Sequence, residues 1–247
     1  MKPTFKLHSP ETKTDYHIYI EAPAAGLAPG PWPVMLFMDG DDQFSFAVAA
    51  YRELREAGRV PPLLLVGVGY GASYAKAANK RGRDYTSAAH SDEPTSGGAA
   101  AFMKFLTATL WPDLARRYPV HAEVRGIGGH SLGSLLVLHA LWQEPLFFTR
   151  YLASAPSIWW ADRHILGEGV RRHDRSAALP ARLFLSVGAE DSASMTGDLT
   201  LLEQQLAARP FTGLELTVRR FPGRNHFNVL PEAFRAGLVD LFGARGT

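Results

Sequence analysis

The chain has 247 residues, 46% hydrophobic and 20% charged, a length and makeup that fit one α/β enzyme domain and fall short of two. Its formal charge of +2 is spread over isolated pairs such as Arg116-Arg117, Arg171-Arg172 and Arg219-Arg220, too short for a phosphate-tracking stripe, so nucleic acid is not an expected partner. Cysteine is absent, which excludes disulfides, thiolate metal sites and a cysteine nucleophile.

In chain order, Asp15–Glu21 alternates in type as a half-exposed strand does. Pro23–Pro33 is rich in Ala, Gly and Pro and reads as a connection. Val34–Met38 is a continuous apolar run closed by Asp39-Gly40, a buried strand. Phe44–Ala57 has helical spacing and stops at Gly58. Leu63–Val68 is a second buried strand. Tyr70–Gly98 is long, polar and rich in Gly and Ser, the signature of a functional loop, expected to border the site. Ala99–Tyr118 predicts a helix with a break near Pro112. Val124–Gly129 is a strand, Leu132–Trp142 a helix and Arg150–Ala153 a strand. Leu183–Val187 is a strand, Thr196–Ala208 a helix, Leu214–Phe221 a strand and Pro231–Phe242 a closing helix.

This alternation predicts an α/β fold: a mostly parallel central sheet with helices on both faces and functional residues beyond the carboxyl ends of the strands. One domain over 1–247 is expected. No run approaches a membrane span and the amino end has no signal-like apolar core, so no membrane partner is expected and the default location is cytoplasmic. A leader removed from the chain would leave no trace here.

The chemistry centres on Gly129-His130-Ser131-Leu132-Gly133, a G-x-S-x-G pattern set between a strand and a helix. A strained turn there lifts the serine hydroxyl above the sheet and aims a helix amino end at developing negative charge. The competing reading is an N-capping serine in a glycine-rich turn. A serine nucleophile needs a base. Among His139, His164, His173 and His226, only His226 falls in a loop directly after the last strand. His139 sits inside a helix, and His164 and His173 lie in a charged stretch that reads as solvated. The acid is expected after Leu183–Val187, at Glu190 or Asp191, and the residue types do not choose between them. Oxyanion donors are expected at the N–H of Leu132 and at Gly40 or Asp41. The carboxylates of Asp39, Asp41 and Asp42 could hold a hard cation, but no further ligand pattern supports a metal and a serine mechanism needs neither metal nor cofactor.

Several segments, in order, resemble the Putative esterase family of α/β hydrolases, in the branch with enterochelin (ferric siderophore) esterases. They include Pro33–Gly40, Val66–Tyr70, Arg81–Thr86, Gly128–Gly133, Ser154–Trp160, Val187–Asp191 with Met195, and Gly223–Phe227. The resemblance implies a catalytic set of Ser131, His226 and Asp191, the last preferred over Glu190. It also puts Arg81–Thr86 close to the site, where Arg81 or Arg83 would engage an anionic substrate or else pair with Asp84. His130 is expected at the substrate as well, and Trp159 or Trp160, after a strand on the site side, is expected to wall the pocket or to pack in the core. Ser134 and Ser87 depart from the family pattern, at positions where glycine and proline are frequent.

The expected function is a serine carboxyl ester hydrolase working through an acyl-enzyme on a small-molecule ester of siderophore or aryl-bearing type. The alternatives are a short-acyl, acetyl or feruloyl esterase, an acyltransferase on the same fold, and a non-catalytic binding protein. The sequence does not speak to oligomeric state.

Overall fold

A computed structural model describes residues 1–23 and 30–244. Most of the connection predicted at Pro23–Pro33 lies outside the described residues; its last two residues already belong to a strand. The elements are β1 (Phe5–Ser9), β2 (Thr14–Glu21), β3 (Trp32–Phe37), α1 (Phe44–Glu56), β4 (Leu64–Gly69) and a short helix α2 (Arg81–Asp84). They continue with α3 (Ala99–Lys104), a π-helical stretch (Phe105–Leu110), α4 (Trp111–Arg117), β5 (Val120–His130), α5 (Leu132–Leu141) and β6 (Arg150–Ser154). The last are α6 (Trp160–Arg175), β7 (Ala178–Gly188), α7 (Ala193–Ala208), β8 (Thr212–Phe221) and α8 (Leu230–Phe242).

Eight strands form one sheet in the order β1-β2-β4-β3-β5-β6-β7-β8. β1 and β2 pair antiparallel with each other, β2 pairs antiparallel with β4, and every pairing from β4 to β8 is parallel. Consecutive residues of β3 explain the unbroken apolar run. Val34, Leu36 and Met38 enter the cluster on one face of the sheet, and Met35 and Phe37 enter the other. Both faces are therefore dry, as a parallel sheet requires. α1 and α8 cover the second face; α5 and the helices around it cover the first.

Three elements differ from the sequence expectation. β1 is too short and too polar to stand out, and forms because β2 offers it an antiparallel edge. Pro112 does not break its helix: it sits at the start of α4, directly after the π-helical stretch, where the wider turn accommodates its missing N–H. The charged stretch around His164 and His173, read as solvated, belongs to helix α6. The helix buries only Trp160, Ile165, Gly169 and Arg172, too sparse a stripe to be seen among its charges. Its entry carries three successive residues, Ala161, Asp162 and Arg163, at φ of 46°, 54° and 64°. Each left-handed residue costs on the order of 1–2 kcal/mol. Arg163 Nε donates to the buried Asp198 at 2.6 Å, tying this strained entry to α7.

Candidate active site

Ser131 ends β5 and opens α5 with φ 59° and ψ −123°, a conformation that a non-glycine residue holds only under constraint. The constraint is visible on both sides. A Cβ on Gly129 would lie 2.5 Å from the Gly133 carbonyl carbon, so the strand and the helix meet there only because a side chain is missing. Ser134 then clamps the turn: its Oγ is 2.7 Å from both the Gly129 and Ser154 carbonyls and shares its proton between them. The serine that departs from the family pattern thus joins α5 to the ends of β5 and β6.

The Ser131 hydroxyl lies 3.3 Å from Ser157 Oγ, in the Ser154–Trp160 segment that follows β6. His226 comes from the loop after β8 and shares two cavities with Ser131. Its Nδ1–H donates to Asp191 Oδ2 at 3.0 Å. The Asp191 side chain is 3% exposed, whereas Glu190 is exposed. The loop is held in place by backbone: Glu190 N–H donates to the Arg224 carbonyl at 2.8 Å, and Gly188 leaves no room for a Cβ against Arg224 and Asn225. Asn225 Oδ1 accepts the N–H groups of Phe227 and Asn228.

His130, buried beside the nucleophile, packs against His226 with ring centroids 4.6 Å apart and the planes tilted by 42°, and its Nδ1 is 3.1 Å from Ser154 Oγ. Burial pushes its pKa down to about 3, aided by the nearby charges of His226 and Arg81. A neutral imidazole therefore flanks the candidate base.

The wall opposite the base is built on Asp39, fully buried after β3. Arg81 grips it with two hydrogen bonds, Nε to Oδ1 at 2.8 Å and Nη2 to Oδ2 at 3.0 Å. Burial raises the Asp39 carboxyl and Arg81 opposes that rise; burial works against the Arg81 charge, but Asp39 carries the guanidinium above its ordinary range. The Arg81 Cζ also lies 4.8 Å from the Tyr74 ring centroid.

Around Ser131 and His226 the cleft has two lobes. A base-side lobe of about 410 Å³ is lined by Ser157, Trp159, Glu190, Asp191, Ser192, Ser194, Met195 and Asn225. An arginine-side lobe of about 680 Å³ is lined by Asp42, Gln43, Phe46, Tyr74, Arg81, His130, Asn228, Leu230 and Pro231. Phe227 belongs to both. Among the described residues the exposed large hydrophobic side chains include Phe46, Tyr74, Trp159 and Phe227, and all four rim this cleft.

Several expected site residues are brought together: Ser131, His226, Asp191, His130, Arg81 and Trp159. Leu132 holds the first position of α5, where an N–H has no partner within its own helix. Two expectations, at Gly40 and Arg83, are corrected. Gly40 cannot offer an oxyanion donor, because its N–H already donates to the Val68 carbonyl at 2.8 Å. For Asp41 the carboxylate turns toward β2 and β4, where it accepts from Tyr19 Oη and from the N–H groups of Tyr70 and Gly71, and the residue lines neither lobe; its N–H, the expected donor, is not engaged by these bonds. Arg83 also lines neither lobe. It donates to the buried Asp84 and to Thr14 Oγ1, pinning the 70–98 segment to β2. The Asp39, Asp41 and Asp42 carboxylates diverge, to Arg81, to the β4 end and to the Tyr74 N–H, and make no common ligand set. Gln43, Ser157, Tyr74 and Phe227 were not legible as site residues. Only the aromatic residue next to His226 carried a signal, by adjacency.

The model of the Putative esterase family matches residues 9–238. The chain belongs to this family. It is a carboxylic ester hydrolase of the α/β-hydrolase fold in the enterochelin esterase-like branch. It is 29% identical over 238 residues to the ferri-bacillibactin esterase BesA of Bacillus subtilis, covering 87% of this chain and 81% of that one. Over 162 residues it is 34% identical to the siderophore triacetylfusarinine C esterase of Aspergillus fumigatus, covering 61% of this chain and 55% of the relative. Among solved structures, the BES protein from Bacillus cereus superposes with a TM-score of 0.85 at 26% identity, covering 97% of this chain and 94% of that one. No helix among the described residues is long and apolar enough to cross a membrane.

Proposed function

We propose that the esterase is a serine enzyme acting through an acyl-enzyme on aryl-bearing esters of the siderophore type, within a single domain whose 70–98 segment borders the cleft. The observation that carries this reading is the strained Ser131 turn sharing one cleft with a His226–Asp191 pair. The substrate class rests on the names of the relatives and on the four aromatic side chains around the rim, which offer faces for stacking.

In the mechanism, Ser131 Oγ turns from Ser157 toward His226 Nε2, a rearrangement common when substrate tightens a loose resting geometry. His226 takes the hydroxyl proton as Oγ attacks the ester carbonyl, and Asp191 holds the imidazole tautomer and stabilises the imidazolium. The Leu132 N–H and the amino end of α5 face the oxyanion. The alcohol leaves with the proton from His226. Water activated by His226 then cleaves the acyl-enzyme.

Ser131→Ala and His226→Ala are each expected to lower kcat by on the order of 10³-fold or more while the protein stays folded. A fluorophosphonate probe should label the wild type at Ser131 and leave Ser131→Ala unlabelled. Near wild-type turnover of aryl esters by either folded variant would overturn the reading.

A further inference from the structure

Gln43 stands at the entry of α1 in the wall of the arginine-side lobe and is 4% exposed. Its Nε2 donates to Tyr74 Oη at 2.6 Å. Its Oε1 is buried and has no hydrogen-bond partner among the described residues. A buried carbonyl without a donor is costly and uncommon, so its persistence beside a cleft calls for a ligand that supplies one. The same lobe offers the complementary group. Asp39 engages Nε and Nη2 of Arg81, which leaves Nη1 free of that carboxylate and able to donate to a bound ligand. Tyr74 braces both groups, by its hydroxyl to Gln43 and by its ring to Arg81, and Ser131 lines the lobe they share.

We propose that Gln43 and Arg81 read a secondary amide next to the scissile ester, with the amide N–H donated to Gln43 Oε1 and its carbonyl accepting from Arg81 Nη1. A secondary amide carries the donor and the acceptor in one neutral planar group. A carboxylate would satisfy Arg81 but would face the Gln43 carbonyl and Asp42, which lines the same lobe. A plain alkyl chain would satisfy neither. The inference rests on the proposed serine reading and deepens it, making Gln43 a specificity residue for acylamino esters.

The test compares kcat/KM of the full-length protein on two aryl-bearing esters that differ in one group beside the scissile bond, a secondary amide or its N-methylated form. The wild type is expected to prefer the secondary amide by about tenfold or more, because a site built to accept a hydrogen bond rejects the analogue that lacks the donor. Gln43→Met, similar in volume and without the carbonyl, is expected to erase the preference. A preference that survives in Gln43→Met is steric and overturns the assignment. Equal turnover of the two esters by the wild type overturns it too, and that result needs no variant to fold. Ser131→Ala separates the two readings. If it still turns over both esters, the serine mechanism falls and this inference with it; if it is inactive, the wild-type ratio alone judges Gln43.

Discussion

The two lobes of the cleft share Ser131, His226 and Phe227, yet they are built by opposite means. The base-side lobe hangs on backbone: the Ser131 turn, the Gly188 contact with Arg224 and Asn225, and the N–H groups that fix the His226 loop. The side-chain link at its chemistry is the 3.0 Å hydrogen bond from His226 to Asp191. The arginine-side lobe hangs on side chains, above all the Arg81–Asp39 pair, with the carboxylate buried and the guanidinium 17% exposed. The difference teaches a division of labour. Proton transfer needs groups held within a few tenths of an ångström, which main-chain packing provides. Recognition needs charge and directional donors, which a desolvated ion pair provides at a cost in stability if either partner is lost.

That contrast can be broken at three points. The base-side lobe is most exposed at its acid. Asp191→Asn should cut kcat by about 10²–10⁴-fold, with little change in the melting temperature, because the amide favours the wrong imidazole tautomer. Glu190→Gln, on the exposed neighbour, should leave kcat close to that of the wild type. Steady-state kinetics on both variants decides the assignment, and a crippled Glu190→Gln would move the acid by one residue.

At the arginine-side lobe the larger loss should appear in stability. Arg81→Ala strands the Asp39 carboxylate in a dry site and should cost about 3–5 kcal/mol in urea unfolding. Arg81→Lys should recover only part of this, since an ammonium cannot reproduce the two-point grip. If Arg81→Ala unfolds at the wild-type midpoint, the two lobes do not differ in the way described. The smallest effects belong to the shared rim. Phe227 is 91% exposed, so Phe227→Ala should leave the melting temperature unchanged. It should raise KM for aryl esters by about 3–10-fold and barely touch alkyl esters, as loss of a ring contact would. An equal rise for both ester types would mean that the ring merely narrows the cleft.

Much of this protein was legible before folding. The runs at Val34–Met38 and Leu63–Val68 gave the buried strands, because a strand covered on both faces has no polar side to break the pattern. The G-x-S-x-G turn at Ser131 and the position of His226 after the last strand were legible because both sit at strand ends that the alternation of elements had already located. α6 and β1 were not, since each buries too few residues to leave a period in the sequence.

The sequence by itself determined the fold class, the nucleophile and the base as candidates, for these depend on local pattern and on order along the chain. Only the tertiary structure decided which neighbours meet across it. It set Asp191 rather than Glu190 against His226, engaged the Gly40 N–H at Val68, turned the Asp41 carboxylate and Arg83 away from the cleft, and brought Gln43 to line it. Those outcomes hinge on the side to which a side chain or an N–H points, and neither residue type nor spacing encodes that direction. It is fixed by contacts between segments that lie far apart in the chain.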